Sequence, residues 1–286
     1  MDFSGILGEI EKADPEFHDR ISPRRDAIKN LTGFGAKIAV ATLPFALNAL
    51  LKKAYGATPT PAVISTLNFA LRLEYFEAAF YRTGLAAATL TIPPSDRTNI
   101  LTPIANHEVA HVNYLQTALG TAAITQPADT SYDFTAKGNF NSVFNSYSTF
   151  LSVAQVLEDT MVRGYKGQTG FLMADATYLT AILNIHSVEA RHAAAIRYLR
   201  RTTISGAGTT KPWISLGAGN AANDTGISAV DGNYANENSS TQLNVDIAEL
   251  PGATANSSTP LSASVEAFDE PLTTSAALAL LGLFNL

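Results

Sequence analysis

The sequence predicts an all-α protein built on a four-helix bundle with one long crossover, and three observations predict it. Two Glu-x-x-His pairs are present, Glu108/His111 and Glu189/His192. Each follows a single glutamate that has a tyrosine seven residues further on, Glu74/Tyr81 and Glu158/Tyr165. All these residues fall within apolar stripes of helical period. The order Glu, Glu-x-x-His, Glu, Glu-x-x-His is a ligand set for two metal ions inside such a bundle.

The elements follow in order. Residues 1–57 form a possible twin-arginine-type signal or an N-terminal helical extension. Residues 20–53 carry Arg20, Arg24, Arg25, Lys29, Lys37, Lys52 and Lys53 against one acid, Asp26. Paired arginines precede a mostly apolar stretch, Leu31 to Leu51, and small residues follow. This resembles a twin-arginine export signal, with cleavage expected near Ala54–Ala57 and an exported, periplasmic or cell-surface protein as the result. Pro23 before the pair and Asp26-Ala27 after it depart from the usual pattern. The alternative is an amphipathic helix that packs on a cytoplasmic protein. No run in the chain is a clean membrane span.

The bundle is expected over residues 58–201. Its stripes are Leu67, Leu71, Glu74, Ala78, Tyr81; then Ile104, Glu108, His111, Leu115, Ala118; then Leu151, Ala154, Glu158, Met161, Tyr165; then Ile182, Ile185, Glu189, His192, Ile196, Leu199. Pro93-Pro94 breaks the chain after the first helix. Thr102-Pro103 is expected to open the second, with Thr102 as N-cap and Pro103 at the first position. Thr121–Asn145 is polar and long enough to cross the bundle, Gly167–Gly170 closes the third helix, and the fourth starts near Ala174.

Placing the ligands at this spacing has a physical reason. Residues i and i+3 share a helix face, so glutamate and histidine of each pair point the same way. Four buried carboxylates without cations would repel or take up protons, and two divalent cations cancel that charge. Carboxylate with imidazole suits iron or manganese. With twelve Glu and five His in 286 residues, chance gives about 0.2 such pairs, against two observed. The halves also repeat: Ala-Leu-Arg-Leu-Glu at 70–74 parallels Ala-Gln-Val-Leu-Glu at 154–158. The glutamate separations within them are 34 and 31 residues.

At these residues the chain resembles the ferritin-like superfamily, and within it the branch that includes desiccation-related proteins. The segments are LNFALRLEYFEAAFY at 67–81, NHEVAHVNYLQTALG at 106–120, VLEDTMVRGY at 156–165 and SVEARHAAAIRYLRR at 187–201, with a weaker likeness in AFDEPLT at 267–273. The resemblance implies a carboxylate-bridged dimetal centre held by Glu74, Glu108, His111, Glu158, Glu189 and His192, with Glu108 and Glu189 bridging. The ligand pattern is similar to the rubrerythrin and bacterioferritin type.

Neighbouring residues set alternatives. Glu77, one turn beyond Glu74, replaces or supplements it; Glu74 is preferred because it shares the following tyrosine with Glu158. Tyr81 and Tyr165 are candidates to hydrogen-bond ligand carboxylates, or are core aromatics with satisfied hydroxyls. His186 is a half-buried histidine or an outer contact of the site. His107 lies about 100° away from Glu108 around the helix and is not expected to bind metal. Asp159 is read as a helix-surface charge.

Composition bounds the rest. Charged residues are 15% of the chain and its net charge is −6, which argues against a nucleic-acid partner. Cysteine is absent, which removes disulfides, thiolate metal sites and a rubredoxin-like electron-transfer centre. Residues 202–286 hold one lysine and eight acids and read as a loop-rich extension, with Ala276–Leu286 as a short docking helix and Trp213 as a pin. Such an extension obstructs the helix faces a hollow cage uses, so a cage is not expected, and a homo-oligomer of another kind stays open. The expected function is oxidation of ferrous iron, or reaction with O2 or peroxide, at two iron or manganese ions in stress protection. The alternative is a non-enzymatic desiccation- or stress-associated protein with a structural metal site.

Overall fold

The computed structural model describes residues 59–208, 210–222, 228–242, 245–250 and 261–286. The basic N-terminal stretch, and with it the export signal read over residues 1–57, lies outside the described residues.

Four long helices make the bundle. Helix α1, Pro61–Ala86, starts where the Thr60 hydroxyl accepts from the Val63 amide at 3.3 Å and Pro61 supplies a preset first turn. Helix α2, Thr102–Leu119, ends at Gly120, whose φ of 54° a side chain would disfavour. Helix α3, Tyr147–Gln168, is capped by Ser146, and helix α4, Ala176–Thr203, by Asp175, which accepts from the amides of Thr177 and Tyr178. Helix α1 packs chiefly on α2, and α3 on α4, so the bundle is two helical hairpins face to face. At their contact Gly84 lies against the Phe150 ring, leaving no room for a β-carbon.

The α-helical bonding of α2 starts at Thr102 as expected, but Thr102 is not its N-cap. Helical backbone already runs from Pro94 through Asp96 and a π-turn, Arg97–Leu101. Thr102 sits in the αR region as part of that run and caps nothing. Its amide reaches back to the carbonyl of Arg97, a five-residue step that lets the helix absorb Pro103 without a break.

The crossover from α2 to α3 is fastened by aromatic packing. Phe134 stacks on Phe76 at 5.4 Å between ring centres and meets Phe80 edge-on at 5.5 Å. Asp133 folds the turn by accepting from the amides of Thr135 and Lys137, both at 3.0 Å.

The C-terminal extension docks on the bundle. Helix α5 is Leu261–Ala267 and helix α6 is Thr274–Leu281, the latter followed by a 3-10 turn that buries Phe284 against Phe76. A two-residue hairpin, β1 Thr241–Gln242 with β2 Val245–Asp246, is the sheet among the described residues. The expected docking of the apolar end is therefore present. Trp213 pins the extension in part: its indole donates to Glu266 at 2.9 Å while its ring stays half exposed. Among the described residues no helix is long and apolar enough to cross a membrane.

Candidate metal centre

Each helix sends its share of the stripe to one point midway along the bundle. Glu74, Glu108, Glu158 and Glu189 are all fully buried, His192 nearly so, and His111 is 9% exposed. Both imidazoles turn Nδ1 inward. Nδ1 of His111 lies 2.9 Å from Glu189, 3.2 Å from Glu74 and 3.3 Å from Glu108. Nδ1 of His192 lies 2.9 Å from Glu108, 3.3 Å from Glu189 and 3.7 Å from Glu158. The six residues predicted from spacing are thus brought together. Glu108 and Glu189 stand between the two histidines, where a bridging carboxylate would stand.

The two tyrosines are tied to the site crosswise. Tyr81 on α1 donates to Glu158 on α3, and Tyr165 on α3 donates to Glu74 on α1. Burial first, and the facing carboxylates second, push both phenols well above their ordinary range, so they remain protonated donors.

Glu77 joins the cluster as a fifth carboxylate. It is fully buried and forms a compact group with Glu158 and Glu189. Its signal was in the sequence, one turn from Glu74 on the same stripe. The structure makes it an addition to Glu74 rather than a replacement. In the second half of the repeat its place is taken by Met161, so the centre has one more carboxylate on the Glu158 side.

The electrostatics fit a cation site. Six carboxylate oxygens, from Glu77, Glu108, Glu158 and Glu189, are buried without a well-formed hydrogen bond; the two inward Nδ1 atoms approach three of them, on Glu108 and Glu189, and no donor approaches those of Glu77. A native core does not gather five buried carboxylates around so few donors unless something else serves them. Burial raises Glu74 to about 8, offset in part by His111. Burial also pushes Glu77 and Glu158 up, with neighbouring carboxylates adding to it. Burial works against Glu108 too, but the imidazoles of His111 and His192 outweigh it and hold that acid at about 2. Desolvation would lower His192, yet Glu158, Glu108 and Glu189 lift it to about 11. The ligand atoms fall into overlapping groups, Glu74/Glu108/His111/Glu189 and Glu108/Glu158/His192, each tight enough to hold an ion. Oxygen with imidazole donors fits iron, manganese or zinc.

Three neighbours fall elsewhere than expected or need restating. Asp159 is not a surface charge. It is buried, gripped by Arg197 at 2.9 and 2.6 Å, and accepts from the Tyr234 hydroxyl at 2.7 Å, because the extension covers this face of α3. His186 is half-buried, and burial together with the Lys166 charge lowers its pKa. His107 touches no carboxylate of the cluster but meets His192 at 2.9 Å.

A four-helix bundle whose four helices deliver carboxylates and imidazoles to a single buried point defines a carboxylate–histidine bundle compatible with two metal ions. Comparison agrees: a model of the ferritin-like domain matches residues 62–202, and the bundle has the ferritin-like fold. No curated protein and no solved structure gives a match to the chain.

Proposed function

We propose that this protein holds two divalent ions, iron or manganese, and reacts with O2 or peroxide, oxidising ferrous iron or removing peroxide. The observation that carries the reading is the convergence of two inward Nδ1 atoms and five buried carboxylates, more acid than two imidazoles and two phenols serve. Two bound redox-active ions would supply electrons to a small oxidant held between them. The chain supplies the rest. Glu74, Glu108, His111 and Glu189 would bind one ion, and Glu108, Glu158, His192 and Glu189 the other. Tyr81 and Tyr165 fix the terminal carboxylates, Glu158 and Glu74, by donating to them. The imidazoles form the side of the cluster with solvent contact, since the carboxylates are fully buried and His111 is not. A small oxidant would enter there.

The likeness to desiccation-related proteins supports a stress-protective setting, and the paired arginines with their apolar follow-on support export. The docked extension over α3 supports an assembly smaller than a cage. The test is metal analysis of the native protein, followed by rapid mixing of its reduced form with O2 and with peroxide. Two redox-active metals per chain and fast oxidation support the proposal. Absence of metal, or two metals that never react, would leave a structural or protective bundle instead.

A further inference from the structure

His192 turns two faces to two different partners. Its Nδ1 points into the carboxylate cluster, 2.9 Å from Glu108. Its Nε2 points the other way and lies 2.9 Å from Nδ1 of His107, with the two rings only 11° from parallel. His107 itself is exposed on α2. A neutral imidazole that gives one nitrogen to a metal keeps its hydrogen on the other, and the acceptor of that hydrogen fixes the ring. Here the acceptor offered is a second imidazole, which then carries its own hydrogen on Nε2.

We propose that His107 is a positioning residue for the metal-binding His192, accepting its Nε2 hydrogen and holding the ring so that Nδ1 faces one of the two ions. This rests on the dimetal reading above. The repeat makes the role one-sided. His107 stands four residues before His111, and the matching position four residues before His192 is Val188, which cannot accept a hydrogen bond. The support therefore reaches the ion held by Glu108, Glu158 and His192. Along its own helix His107 points away from Glu108. It reaches the site through the other pair's histidine, a contact across helices that spacing along one helix does not encode.

The test is titration of the metal-free full chain with Mn2+ by calorimetry, for the natural protein, His107→Leu and His107→Gln. In the natural protein two binding steps are expected. In His107→Leu one step should weaken by about 10-fold to 100-fold while the other is unchanged. His107→Gln, whose amide oxygen can accept in place of the ring, should recover most of the loss. Thermal unfolding of the three metal-free proteins should coincide, since His107 is exposed. Wild-type affinities in both steps for His107→Leu would overturn the proposal and leave the dimetal reading standing. Equal weakening of both steps, or no recovery by His107→Gln, would also overturn it. A natural protein that takes up no Mn2+ would sink the dimetal reading and this inference with it.

Discussion

The phenol of Tyr81, carried on α1, donates to the carboxylate of Glu158 on α3. The same bond is made in reverse by Tyr165 of α3 and Glu74 of α1. Each tyrosine follows one glutamate by two helical turns and serves the other, so the exchange ties the two hairpins together at the metal centre. Tyr81→Phe should weaken the ion bound by Glu158, and Tyr165→Phe the ion bound by Glu74, each by about 10-fold. Stepwise Mn2+ titration separates the two; identical effects of both changes on the same step would refute the crosswise assignment.

Glu77 is the fifth carboxylate of the cluster, one negative charge more than two divalent ions would neutralise. It is buried, no hydrogen bond reaches its oxygens, and burial holds its pKa well above the ordinary range. Replacing it by Met, the residue at the matching place in the second half, removes an unserved polar group from the core. Glu77→Met should stabilise the metal-free protein by about 1–3 kcal/mol. Urea unfolding in chelator measures this. A loss of stability would mean that Glu77 has a partner in the metal-free fold.

Protons and metal compete for the same atoms. Glu74, raised to about 8, and His192, raised to about 11, both bind protons more tightly in the fold than in the unfolded chain. Their contribution to the metal-free fold is complete below their unfolded values and is lost as pH rises through the folded ones. Glu108, held at about 2, acts oppositely: its contribution is present above its unfolded value of 4.5 and is lost as pH falls toward 2. The metal-free protein should therefore weaken from pH 6 to pH 9, seen as a falling urea midpoint. Metal loading must discharge the same protons, so the apparent Mn2+ affinity should rise by at least about tenfold per pH unit between 6 and 8. An indicator dye in weak buffer should record proton release on loading. Uptake of protons would contradict the charge states assigned here.

The six expected ligands were legible because the signal is local. Three-residue spacing and a shared apolar stripe place Glu108 with His111 and Glu189 with His192 whatever the rest of the chain does. Glu77 shares that stripe, and only the rule that a single glutamate pairs with each tyrosine set it second. Asp159 was misread for a non-local reason. Set beside Glu158, it looks like a helix-surface charge, and nothing near it in sequence tells that the extension, some 75 residues later, covers that face. Thr102-Pro103 misled in a different way. The pair is a common helix start, but a π-turn upstream lets the helical run from Pro94 carry the proline more than two turns inside.

That covered face gives the last prediction. Arg163 is fully buried on α3 and spends its guanidinium on the extension. It donates to the carbonyls of Glu270 at 2.8 Å and Ala235 at 2.7 Å and to that of Asn233, and pairs with the buried Glu237 at 2.7 Å. One turn on, the Leu272 amide donates to the Arg163 carbonyl at 3.0 Å, and the Leu272 carbonyl lies where a β-carbon on Gly167 would be. The extension is thus held by polar contacts to one turn of α3 as well as by Leu281 and Phe284. Arg163→Met leaves three carbonyls unpaired and Glu237 with only the Glu270 amide, a loss of about 3 kcal/mol. Gly167→Ala expels the Leu272 backbone without touching any charge. Both variants should keep the helical bundle and its metal affinity, yet lose residues 261–286 quickly to a nonspecific protease. If both resist the protease as the natural protein does, the apolar end alone holds the extension. If metal binding is lost as well, the extension shapes the centre, because α3 carries Glu158 and Tyr165 on the face opposite Arg163.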